Sequence, residues 1–141
     1  MREPKPEDFA YTRLLPYCRI HWPQYQIAKF HSIIAHNFQE VEKGNITRLI
    51  ISLPPRSGKT MLTAYFIGWY LGRNPTKEVI YTSYSQERAD DVGLVCRNLM
   101  LDEAHTRVFP GAGLAFDAKA SRKFSTAQNG KFFATGWNSA V

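Results

Sequence analysis

One octapeptide restricts what this chain can fold into more than any other stretch. Leu53-Pro54-Pro55-Arg56-Ser57-Gly58-Lys59-Thr60 follows an apolar run, Leu49-Ile50-Ile51-Ser52-Leu53. It precedes a helix-like segment, Met61-Leu62-Thr63-Ala64-Tyr65-Phe66-Ile67-Gly68-Trp69-Tyr70-Leu71. Strand, tight loop and helix with Gly-Lys-Thr at the turn is the layout of a phosphate-binding loop. Amides at the helix start point at phosphate oxygens there, and the helix dipole adds partial positive charge. Lys59 then reaches the β- and γ-phosphates, and the Thr60 hydroxyl ligates Mg²⁺. The full pattern asks for a glycine where Leu53 stands, so this loop is a variant, stiffened by two prolines. The plain alternative is an ordinary strand-to-helix turn.

Composition narrows the classes. At 141 residues the chain is one domain or part of one. A 44% hydrophobic content is enough for a core, which argues against disorder. The formal net charge of +6 suits a polyanionic partner such as nucleic acid, or a generic basic surface, because the cations are scattered rather than clustered. Cys18 and Cys96 lie far apart with no CxxC, and read as reduced thiols of a cytosolic protein. His21, His31, His36 and His105 form no zinc pattern. The start of the chain has no apolar core of a signal peptide, and no apolar stretch has the length of a membrane span.

Local patterns predict an α/β fold. Residues 1–24, punctuated by Pro4, Pro6, Pro16 and Pro23, read as a loosely ordered arm with one short helix near 8–15. From Tyr25, the residues Ile27, Phe30, Ile34, Phe38 and Val41 recur at helical spacing until Lys43-Gly44-Asn45. Residues 48–53 read as the first strand. The helix after the loop closes at Gly72-Arg73-Asn74-Pro75. A second strand follows over 78–84, and Ser85 caps a helix whose stripe is Ala89, Val92, Val95, Cys96 and Leu99. Val108-Phe109-Pro110-Gly111 is a turn, and Gln128-Asn129-Gly130 joins residues 123–127 and 131–135 as a hairpin. Two strand–helix units in succession predict a parallel sheet with helices on both faces.

The chain resembles the N-terminal ATPase region of the large subunit of tailed-phage terminases, the motors that package DNA. The strings that carry the resemblance are Thr47 through Thr60, Trp69-Tyr70-Leu71-Gly72-Arg73-Asn74-Pro75 and Tyr81-Thr82-Ser83-Tyr84-Ser85. Val108-Phe109-Pro110-Gly111, Thr126 and Gly130-Lys131-Phe132-Phe133-Ala134-Thr135-Gly136 follow in the family's order. The resemblance runs from about residue 20 onward and implies a P-loop NTPase-type parallel sheet flanked by helices, spanning 25–141 and ending in a hairpin. It implies ATP and Mg²⁺ as ligands, with Pro55, Arg56, Ser57, Gly58, Lys59 and Thr60 forming the loop. Lys59 matches the loop lysine, Thr60 the metal ligand, and Arg56 the basic residue of these variant loops, which offsets charge on the γ-phosphate. Gln26 matches an adenine-contacting glutamine, whose amide both donates and accepts. Implied partners are double-stranded DNA, a terminase small subunit and the portal of a procapsid, in the host cytoplasm. Arg73, Lys77, Arg88 and Arg122 are the basic candidates for DNA contact.

The family continues into an apolar strand ending in acidic residues that hold Mg²⁺ and orient the attacking water, and then into a nuclease domain. This sequence departs from the family at Trp137-Asn138-Ser139-Ala140-Val141. The expectation is therefore a truncated piece, such as a prophage remnant, that binds nucleotide without efficient hydrolysis or DNA cleavage. Two alternatives stand beside it. Asp102-Glu103-Ala104-His105 spells the water-activating box of DEAH helicases, which would complete an ATPase site. Against that, the preceding residues extend the helical stripe from Ala89, which places Asp102 at a helix end and leaves Asp102 and Glu103 as solvated turn acids. The second alternative is a non-enzymatic remnant, in which the helix after the loop serves as core alone.

Overall fold

A computed structural model describes residues 2–116 and 120–137. Residues 138–141, in the stretch where the resemblance departs, lie outside the described residues. Helix α1 (Pro6–Thr12) starts on a proline, and the Asp8 carboxylate accepts the Lys5 N–H at 2.8 Å. Arg13 is extended, and α2 (Leu14–His21) follows. The two helices bury Ala10, Leu14, Tyr17 and Cys18 completely, so the stretch expected to be a loose arm is part of the core. Its prolines do not break helices. Pro6 and Pro16 fall in first turns, where a backbone N–H has no intrahelical acceptor to lose.

Helix α3 (Lys29–Glu42) starts four residues later than the apolar period suggests, because the His31 ring accepts the Ala28 N–H at 3.0 Å and caps it there. It ends at Lys43, and Gly44 turns the chain with φ +82°. Residues 48–53 do not form a strand, contrary to expectation. Leu49, Ile51 and Leu53 pack inward while Ile50 is 95% exposed. The alternation is that of a half-buried strand, but the ladder that would make it one is missing among the described residues. A hollow of about 150 Å³ lined by Ile51, Phe38 and Tyr81 lies beside the segment.

After the octapeptide come α4 (Lys59–Arg73), β1 (Glu78–Ser83), α5 (Gln86–Leu101), α6 (Glu103–Val108), β2 (Lys123–Ser125) and β3 (Lys131–Gly136). The protein is therefore α/β, with six helices and one three-stranded sheet among the described residues. The strand order is β1-β3-β2. β1 and β3 are parallel, Glu78 opposite Lys131 through Ser83 opposite Gly136. β2 and β3 form the expected hairpin, antiparallel, with Phe124 opposite Phe132. Asn129, at φ +67°, sits in the turn as its type favours. The sheet is thus mixed rather than parallel throughout.

Among the described residues the helices cover one face of this sheet, not both. Val79, Tyr81, Phe124, Phe132 and Ala134 pack against Ala64, Ile67 and Leu71 of α4 and Ala89, Val92, Cys96 and Met100 of α5. On the opposite face Ile80 is 72% exposed. The stripe predicted on α5 is the buried one, and Ser85 Oγ accepts the Arg88 N–H at 3.3 Å. A second core joins α1, α2 and α3 to the other side of α4, through Leu62, Tyr65 and Trp69.

Close packing at the end of α4 gives a test. A Cβ on Gly72 would lie 2.3 Å from the Phe109 ring, which is 2% exposed and held against Tyr17, Tyr11 and His105. Helix propensity favours alanine over glycine by roughly 0.5–1 kcal/mol, whereas overpacking costs about 1–3 kcal/mol. Gly72→Ala is therefore expected to lower the urea midpoint, and a raised midpoint would show that the Phe109 contact is not tight.

Candidate functional site

The loop's shape follows from two left-handed residues. Arg56 has φ +61°, uncommon for a side chain of its size, and Gly58 has φ +78°. Gly58 is also the N-cap of α4 and brings no side-chain oxygen to it. The first-turn amides of Lys59, Thr60 and Met61 have no intrahelical acceptor by position, and no side chain caps the turn. A left-handed residue joined to a right-handed one gathers successive N–H groups into a concavity that suits an anion.

Lys59 and Thr60 are both exposed. The Lys59 ammonium donates to the Leu53 carbonyl at 3.2 Å, spanning the loop from one end to the other. Thr60 lines the 150 Å³ hollow and also an adjoining one of about 270 Å³, shared with Ser83, Tyr84, Arg88 and Asp91. Ser83 is the last residue of β1, so the loop lies at the carboxyl end of that strand. Ligands of open α/β sheets bind at that end. Pro55 and Arg56 are exposed at the crest, and Arg56 makes no ion pair among the described residues.

Gln26 is exposed in the connection between α2 and α3, and no hydrogen bond brings it to the loop among the described residues. The residue that does reach the loop from that side is His31. Its Nε2 lies 3.1 Å from the Ser57 carbonyl oxygen. Sequence reasoning found no metal pattern for this histidine and passed over it. Nothing local announces a contact 26 residues away, and only the short spacing to the Ala28 cap carries a trace of it.

The basic candidates for DNA contact divide. Arg73 is structural: its guanidinium bonds Glu42 at 3.0 Å and the Tyr11 carbonyl at 2.9 Å, and it stacks over Trp69 and Tyr11. Arg122 pairs with Asp90 at 2.9 Å, Arg88 donates to the Tyr84 hydroxyl at 3.2 Å, and Lys77 is exposed. Cys18 and Cys96 are free and buried, and burial pushes both thiols up to about 12, away from nucleophilic chemistry. Among the described residues no group of three or more His, Cys, Asp or Glu could hold a metal, and no helix is long and apolar enough to cross a membrane.

The Asp-Glu-Ala-His string builds a helix corner. Asp102 closes α5 and caps α6, with Oδ1 accepting the Ala104 N–H at 3.1 Å and Oδ2 lying 3.0 Å from His21 Nδ1. It is an exposed turn acid, as expected, and one that also caps a helix and pairs with a histidine. Burial pushes its carboxyl up, but the Ala104 amide and His21 outweigh that and hold it below its ordinary value. A strand-end carboxylate, which the helicase-like reading requires, is not what Asp102 provides; Glu103 is exposed. His105 is fully buried, with Nδ1 2.8 Å from the Tyr17 hydroxyl and Nε2 3.4 Å from the Ala112 carbonyl. A carbonyl can only accept, so Nε2 carries the proton and Tyr17 donates to Nδ1.

Comparison with protein-family models, with curated proteins and with solved structures finds no match to this chain. The reading of the site rests on its own residues.

The buried histidine has a pH consequence. Burial pushes His105 down to about 4 from an ordinary 6.5. Between those values the unfolded chain binds the extra proton, so stability is whole above pH 6.5 and falls as pH drops towards 4, by roughly 3 kcal/mol. Burial lowers His21 as well, in the same sense. Urea midpoints measured between pH 7.5 and 4.5 are expected to fall less steeply in His105→Gln than in the parent. Equal slopes would show that His105 is not the group being charged.

Proposed function

We propose that the chain binds ATP with Mg²⁺ through residues 53–60, as the ATPase region of a terminase-like DNA-packaging motor. The observation that carries the reading is left-handed Gly58 set directly before the uncapped first turn of α4, with the Lys59 ammonium stretched across the loop to Leu53. Phosphate oxygens would take the place of the Leu53 carbonyl at Lys59 and would accept the free first-turn amides. Charge-assisted bonds of this kind are about twice as strong as neutral ones.

The residues present fit a Mg²⁺ held mainly by the nucleotide. Thr60 lines both hollows and carries one hydroxyl, and Mg²⁺ in such sites draws most of its remaining ligands from phosphates and water. When bound, the ion neutralises charge on the β- and γ-oxygens. Exposed Arg56 at the crest supplies a guanidinium to the γ-phosphate. The parallel β1–β3 pair, with the loop at its carboxyl end, supports a P-loop type of fold. Work on double-stranded DNA, with a small subunit and a portal, in the host cytoplasm, comes to this chain through the resemblance of its motifs. The helicase-like alternative loses its support in the position of Asp102. The non-enzymatic alternative predicts no response to nucleotide.

Saturating ATP–Mg²⁺, at about a hundred times its dissociation constant, should stabilise the protein by roughly 3 kcal/mol and raise its melting temperature. Lys59→Ala should remove that rise. A parent protein indifferent to millimolar ATP–Mg²⁺, or a Lys59→Ala variant that responds as the parent does, would end the proposal.

A further inference from the structure

The bond between His31 and the loop is more informative than its length suggests, because the chemistry of both partners settles where the proton sits. At Nδ1 the partner is the Ala28 backbone N–H, a donor, so Nδ1 must be bare. At Nε2 the partner is the Ser57 carbonyl, an acceptor, so Nε2 must carry the hydrogen. Only the neutral Nε2–H tautomer satisfies both. The ring is also held in place by its neighbours: the Phe30 ring centroid is 4.1 Å away and that of Tyr25 5.5 Å.

The carbonyl that His31 holds belongs to the peptide unit between Ser57 and Gly58. In a trans peptide the C=O and N–H point in opposite directions, and the unit is planar. Drawing the Ser57 oxygen towards α3 therefore turns the Gly58 N–H the other way, to the side of the loop remote from His31. Ser57 Oγ is buried and finds no protein partner among the described residues, so the serine side chain does not set this orientation. Nor does crowding at Gly58, where a Cβ would be in ordinary contact with His31 Nε2 at 3.6 Å.

We propose that His31 is a positioning residue of the phosphate loop, whose Nε2–H fixes the Ser57–Gly58 peptide so that the Gly58 amide joins those of Lys59 and Thr60 in facing the triphosphate. The inference rests on the nucleotide reading of residues 53–60 and adds a residue that the octapeptide does not contain. It also explains why α3 starts at Lys29: one ring caps that helix and anchors the loop.

The decisive experiment titrates ATP–Mg²⁺ and inorganic tripolyphosphate into the parent protein, His31→Leu, His31→Gln and Lys59→Ala. His31→Leu should bind both ligands roughly tenfold or more weakly, by the same factor, since the loss is one amide–phosphate bond and not a base contact. Glutamine can accept from Ala28 and donate to Ser57, so His31→Gln should bind within about threefold of the parent. Parent-like affinity in His31→Leu overturns the role, and so does a His31→Gln variant as weak as His31→Leu. Lys59→Ala separates the two proposals. Unaltered binding there sinks the nucleotide reading itself, whereas loss there beside unaltered binding in His31→Leu sinks His31 alone. Long-range ¹H–¹⁵N NMR of the parent protein needs no variant to fold. A neutral ring protonated at Nε2 supports the proposal, and one protonated at Nδ1, or at both nitrogens, refutes it.

Discussion

Helix α4 is buried on two opposite sides, and the rest of the molecule is arranged by that requirement. Leu62, Tyr65 and Trp69 face the helical core, while Ala64, Ile67 and Leu71 face the sheet. A helix apolar all round is stable only with partners on every side. On one side α1, α2 and α3 supply them, with the Trp69 indole N–H donating to the Ala10 carbonyl at 3.0 Å and Phe66 stacked on Phe38 at 4.4 Å. On the other side α5 and the sheet close over it. Both cores grip the same rod, and the octapeptide is attached at its N-terminal end.

The helical core holds polar groups, several of which are matched inside it. Tyr17, His21, Tyr65, His105 and Phe109 form one continuous aromatic cluster around Tyr17. The Tyr17 hydroxyl is spent on His105 and His21 Nδ1 on Asp102 at the corner between α5 and α6, while His21 Nε2 and the Tyr25 hydroxyl are buried without a protein partner among the described residues. An unmatched polar group at this depth costs on the order of 1–3 kcal/mol. The string that reads as a catalytic box in one-dimensional form is thus the stitching of a helix corner. Its acid caps, its histidine fills, and neither borders the loop's two hollows.

Features set by near neighbours in the chain were legible. The α5 stripe, the Ser85 cap, the hairpin at Asn129-Gly130 and the loop before α4 each depend on residues within a few positions of one another. Features set by distant partners were not. Residues 48–53 have the alternation of a strand, yet strandhood needs a neighbour, and composition does not reveal whether one is in register. The N-terminal prolines look like breakers until their places in first turns are known. Residues 53–60 were legible as a turn into a helix because the motif is contiguous, and Lys59 and Thr60 do begin that helix. Gln26 was named and lies exposed, while His31, five residues on, makes the contact. A histidine that both caps one helix and holds another segment has no periodic signature.

The outer rim of β1 has a bearing on how the protein behaves in company. β1 pairs with β3 alone among the described residues, so along its other margin the peptide groups face no ladder, and Ile80 stands out from the sheet beside them. Such a margin accepts any extended backbone that drifts into register. Among the described residues that margin is therefore where a further extended segment could join the ladder.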